Sequence, residues 1–109
     1  MAVVAVSIVP VGTPSPSISE YVAGCVEVLK GVEGISYWVT PMATVIEGDL
    51  DAVLAAVRRM HEQPFLKGAA RVVTSIRIDD RRDKELTMEG KVAAVEARLG
   101  GEAGRGKLP

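Results

Sequence analysis

A chain of 109 residues, 48% hydrophobic and 25% charged, has room for one two-layer domain and not for two independent cores. Thirteen basic against fourteen acidic residues leave a net charge of −1, which gives no overall field to draw nucleic acid or an anionic membrane surface. The single Cys25 rules out an intramolecular disulfide, and only 4% aromatic residues mean that Val, Ala, Ile and Leu must build the core.

Met1 to Val9 is apolar, but it lacks a basic leader, is too short to cross a bilayer and runs into Pro10. It reads as a buried first strand over residues 2–10, with the cytoplasm as the expected location and no membrane partner. Turn formers from Val11 to Pro16 stop it. Ser17-Ile18-Ser19-Glu20 has the form of a capping box, and Ile18, Val22, Cys25, Val26 and Leu29 follow at helical spacing until Gly31. Next, Ile35 to Thr40 and Ala43 to Gly48 make a hairpin about Pro41-Met42. Pairing Thr40 with Ala43 puts Tyr37, Val39, Thr44 and Ile46 on one face, and Trp38, Thr40, Val45 and Glu47 on the other.

Asp49 reads as the N-cap of a second helix whose Leu50, Val53, Leu54, Val57 and Met60 form a stripe, with Pro64 and Gly68 marking its exit. Residues 70–79 alternate as a fourth strand and run into a block of mixed charge. Met88, Val92, Val95 and Leu99 share one face of a third helix beginning near Thr87. Residues 1–99 form the expected domain, and 100–109 an aperiodic, loose tail.

The order is βαββαβ plus a helix: an α+β, ferredoxin-like sandwich with a four-stranded antiparallel sheet, both main helices on one face. The other face is left open. Because the first strand is apolar on both sides, that face is expected to meet another copy, giving a homodimer or homotetramer through sheet faces.

The residues offer no nucleophile–base pair, Gly-rich phosphate loop or metal cluster, so no catalytic residue, metal or cofactor is assigned. His61-Glu62 lacks the further ligand a metal motif needs. The nearly balanced signs of Asp79 to Glu85 suit intersubunit ion pairs or a solvated turn, although Arg81 or Arg82 would suit a phosphate.

The run Tyr37-Trp38-Val39-Thr40-Pro41-Met42-Ala43-Thr44-Val45-Ile46-Glu47-Gly48, taken with Ser17 to Val22, His61-Glu62 and Ile76 to Lys84, resembles the small thiamine-binding protein family related to YkoF. The likeness spans roughly residues 2–99 and rests on the order and spacing of these pieces. It implies a ferredoxin-like fold, assembly as dimers or tetramers through the sheets, and binding of thiamine or its hydroxymethylpyrimidine moiety without turnover. Ala43 departs from the Gly that similar sequences often carry after the Met.

An aminopyrimidine wants complementary hydrogen bonds at its edge and an apolar or aromatic wall at its faces, and thiamine adds a cationic thiazolium. Glu47 is the candidate carboxylate, Thr40 and Thr44 candidate hydroxyls, Tyr37 and Trp38 candidate stacking residues, and Ser19 the freer hydroxyl at the first helix N-terminus. Each has a structural reading beside this one. Glu47 equally suits a solvated strand end, a cap of the next helix or an ion pair with Arg at an interface, the threonines are ordinary strand and turn residues, and Tyr37 and Trp38 point to opposite faces. The leading expectation is therefore a non-enzymatic cytoplasmic binder acting in salvage, buffering or delivery. Its rivals are a structural or regulatory homo-oligomerisation module without a small ligand, and an enzyme on the same fold.

Overall fold

The computed structural model describes residues 1–14 and 18–100. Its elements are β1 (Ala2–Pro10), α1 (Ser19–Glu27) with a 3₁₀ turn (Val28–Gly31), β2 (Ile35–Val39), β3 (Thr44–Gly48), α2 (Leu50–Leu66), β4 (Val72–Asp80) and α3 (Met88–Arg98). The strands pair antiparallel in the order β2-β3-β1-β4, the ferredoxin-like arrangement with an extra C-terminal helix.

The β-branched run of β1 occupies the middle of the sheet, where both edges are paired and one face lies under α1 and α2. Val4, Val6 and Ile8 point into that layer and are buried with Ile46 of β3, Cys25 of α1, Leu29 of the 3₁₀ turn, and Val53, Ala56, Val57 and Met60 of α2. Each larger apolar side chain removed from water here contributes roughly 1.5–3 kcal/mol, which makes this layer the main source of stability. Tyr37 and Ile35 pack at its rim. The hairpin register is the one expected, with Tyr37 opposite Ile46 and Val39 opposite Thr44, and the Thr40 amide donates to the Ala43 carbonyl at 2.9 Å.

Three local expectations need correction or refinement. Pro64 and Gly68 do bracket the exit of α2, which ends at Leu66 with Pro64 inside its last turn. Proline removes the amide that would bond the carbonyl of Met60 four residues back, and the thiol of Cys25 donates to that carbonyl instead at 3.4 Å. The core of the neighbouring helix thus supplies the missing donor, and Pro64 is itself the last buried residue of the helix. Asp49 stands at the N-cap of α2 with extended dihedrals, but its side chain forms no capping bond. At α1 the N-cap is Ile18 without a side-chain bond, while Ser17 of the expected capping box lies outside the described residues, as does the tail from 101 onward.

The third helix starts as expected, with the Thr87 hydroxyl accepting from the Gly90 amide at 2.9 Å. None of its own residues is buried, and its apolar face remains half exposed at Val95 and Leu99. Polar contacts tether it to the open sheet face: Lys91 pairs with Asp79, and the carboxylate of Glu47 accepts from the Met88 amide at 2.8 Å.

Gly48 closes β3 where the chain passes the turn before β2. A Cβ there would stand 2.7 Å from the Gly34 carbonyl oxygen and 2.9 Å from Ile35 Cγ2. Gly48→Ala is therefore expected to destabilise the fold by about 1–3 kcal/mol through overpacking against backbone, read as a lower urea midpoint; an unchanged midpoint would contradict this close approach.

Candidate ligand-binding site

Strands β1 and β3 differ in length, nine residues against five. Their pairing ends at Val6 opposite Thr44, so Ser7 to Pro10 pair with β4 alone. Pro41-Met42 turns the hairpin back just there, and the space left between its tip and the free edge of β1 is a cavity of about 140 Å³. Its walls are Val6 to Val9, the hairpin tip from Val39 to Thr44, Ile18, Val22 and Cys25 along α1, and Met60 of α2. A cavity of about 150 Å³ accommodates a benzene-sized ring, so the space suits one small heterocycle. No charged side chain lines it among the described residues.

Thr44 is 5% exposed and lines this cavity. Its hydroxyl makes no hydrogen bond among the described residues, and no buried side-chain oxygen or nitrogen among them lacks a partner. The group therefore reaches solvent through the cavity and is available to a ligand. Thr40 also lines the wall, but its hydroxyl is engaged in the turn: it donates to the Ala43 carbonyl at 2.7 Å and accepts from the Ala43 amide at 3.2 Å. One acceptor lone pair remains to it. Cys25 contributes a thiol whose pKa is raised, first by burial, with Lys67 opposing the shift. It stays protonated and keeps its bond to the Met60 carbonyl.

The remaining sequence candidates lie elsewhere. Glu47 projects from the opposite face of β3 and caps the first turn of α3, away from the cavity. Capping was one of its three structural readings, although the helix it serves is α3 and not the adjacent α2. Tyr37 packs at the rim of the core, Trp38 is 54% exposed on the open face, and Ser19 begins α1 on the surface; none of the three lines the cavity. Sequence reasoning missed Ser7, Ile8 and Val9 as site residues. Their signal was the length of the first apolar run, which exceeds both arms of the hairpin beside it.

The charged block forms its own local pairs, Arg81 with Asp83 and Arg82 with Asp80, at the edge of an open depression. The bonded Asp83 raises the Arg81 pKa, Asp80 does the same for Arg82, and Arg81 lowers that of Asp83. A phosphate there would have to compete with these carboxylates. His61 hydrogen-bonds Thr74 at 2.6 Å and meets Phe65 edge-on. Among the described residues no three His, Cys, Asp or Glu side chains are grouped to hold a metal ion.

The class of protein these features define is a small α+β binding domain with one apolar, hydroxyl-edged cavity at the end of its sheet. The chain belongs to the thiamine-binding protein family, which matches residues 4–96. It is 48% identical over 102 residues to the UPF0045 protein YqgV of Bacillus subtilis (strain 168), covering 91% of this chain and 98% of that one. A UPF0045 protein of Staphylococcus xylosus is 51% identical over 102 residues, with 91% and 95% covered. Among solved structures, the protein MJ1052 from Methanocaldococcus jannaschii superposes with a TM-score of 0.78 at 40% identity, over 93% of this chain and 97% of that one. A putative thiamine biosynthesis/salvage protein from Thermotoga maritima shares the fold, with a TM-score of 0.69 at 23% identity over 86% and 97%.

Two outcomes follow from the side-chain placements. Glu47→Ala is expected to cost about 1 kcal/mol through loss of a charged cap, seen as faster amide exchange at Met88; no change at α3 would contradict the capping role. In the native protein at mildly alkaline pH, Cys25 is expected to alkylate at least tenfold more slowly than in urea, because the thiolate is disfavoured and enclosed. Since its folded pKa is raised, its contribution to stability is complete below the ordinary thiol range and declines as pH rises through the folded value.

Proposed function

We propose that this protein binds thiamine or, through the cavity itself, its hydroxymethylpyrimidine moiety, without chemical turnover. The observation that carries the reading is the match in size and polarity: a cavity of about 140 Å³ with apolar walls and the free Thr44 hydroxyl at its edge. Membership of the thiamine-binding protein family supports a small-molecule binding role independently of that geometry.

The absence of a charged side chain from the lining among the described residues favours the neutral pyrimidine as the enclosed half. A thiazolium or a phosphate keeps its hydration by remaining at the mouth, beside the solvent-exposed Met42. Glu47 plays no direct part in this reading. The family resemblance to YkoF, a place in salvage, buffering or delivery, and a cytoplasmic location belong to the same proposal.

Self-association is part of it as well. The open face carries Trp38, Val9 and Val73, all exposed, and a second copy seated on that face would bury them in a homodimer or homotetramer. No helix among the described residues is long and apolar enough to cross a membrane.

Calorimetric titration with hydroxymethylpyrimidine and thiamine tests the reading, with the pyrimidine expected to bind and to raise the melting temperature by linkage. Thr44→Val should weaken that binding by roughly fivefold to thirtyfold, the range for loss of one ligand hydrogen bond, while leaving the fold intact. Absence of binding by both compounds would overturn the proposal.

A further inference from the structure

The alternation of hydrogen bonds along the sheet identifies which main-chain groups face the cavity. Thr40 and Ala43 form a bonded pair at the hairpin turn. In an antiparallel ladder bonded and non-bonded pairs alternate, so Val45 and Glu47 turn their amides and carbonyls toward β2, and Thr44 and Ile46 turn theirs toward β1. Their partners on β1 are Val6 and Val4. By the same two-residue period, Ile8 directs its N–H and C=O to that side too, beyond the last residue of β3, whereas Ser7 and Val9 direct theirs toward β4.

The cavity lining agrees with this assignment. Four successive residues, Val6 to Val9, border the space although their side chains point alternately to opposite faces, so the edge of the strand itself forms the wall. The Ile8 side chain is buried in the core. No backbone partner for Ile8 lies on the cavity side among the described residues. Buried main-chain groups require partners, and here a donor and an acceptor lie side by side on one residue at the edge of a ring-sized space.

We propose that the main chain of Ile8 is the recognition element of the cavity, and that the ligand class is a neutral planar heterocycle carrying an acceptor and a donor on adjacent atoms of one edge. A ring nitrogen accepts from the Ile8 N–H while the neighbouring amine donates to the Ile8 carbonyl. The ring then continues the sheet laterally where β3 stops, flanked by apolar side chains that include Val22 and Met60. The inference rests on the cavity being a heterocycle site, and it adds which atoms do the reading. It also explains how a pocket without a charged side chain selects a polar ring.

Amide NMR of the isotope-labelled full chain tests it, using two probes: an aminopyrimidine with its amine beside a ring nitrogen, and the isosteric methylpyrimidine. The expected result is a large downfield shift and slowed exchange of the Ile8 amide with the aminopyrimidine, and about tenfold weaker binding of the methyl analogue. If Thr44 and Cys25 respond but the Ile8 amide does not, and both probes bind equally, the main-chain assignment is overturned while the cavity remains a ligand site. If no cavity resonance responds to either probe or to hydroxymethylpyrimidine, the functional reading fails with it.

Discussion

The difference in length between β1 and the hairpin beside it is the constraint on which the site depends. Nine residues of β1 are held straight by β4 along their full length, while Pro41-Met42 turns the other neighbour away after five. A sheet cannot close that step, because the hairpin has no further residues to offer, and the helices bridge over it. The cavity is what remains beneath them. Lengthening the hairpin by one pair would supply a strand partner for Ile8 and fill the site, so the turn position and the binding capacity are one feature of the sequence.

Two other interactions keep this arrangement in place. Pro64 leaves the Met60 carbonyl without its helical donor, and Cys25 fills that role from α1, tying the two helices together beside the cavity. On the opposite face, Glu47 holds the start of α3, with Lys91 and Asp79 as a second tether. That helix leaves Val95 and Leu99 half exposed. The two faces of β3 therefore do different work: Thr44 addresses the cavity, and Glu47 secures the helix.

Much of the fold was legible because it depends on periodicity. The β-branched run of β1, the Thr40–Ala43 register and the helical stripes of α1 and α2 each follow from local pattern, and the structure contains them. Pro64 and Gly68 marked the exit of α2, but that Pro64 sits inside the last turn was not legible, because the carbonyl it orphans finds another donor in Cys25, a tertiary fact. The site was only partly legible. Thr40 and Thr44, singled out as hydroxyls among apolar neighbours, line the candidate cavity, whereas Glu47 drew attention as a carboxylate when its partner, forty-one residues away at Met88, could not be read from sequence. The role proposed for Ile8 was invisible for a different reason: it is a main-chain role, and every residue except proline carries the same donor and acceptor. Only the strand pairing shows that those of Ile8 lie beyond the ladder.

The cavity sets backbone and hydroxyl groups in an apolar step of the sheet, and no charged side chain lines it among the described residues. The most direct measurement is a crystal structure of the protein grown with hydroxymethylpyrimidine. Density for the ring between the edge of β1 and the hairpin tip, against Ile8 and Thr44, is the predicted result; density beside Glu47 or Trp38, with the cavity occupied by solvent alone, would contradict the account.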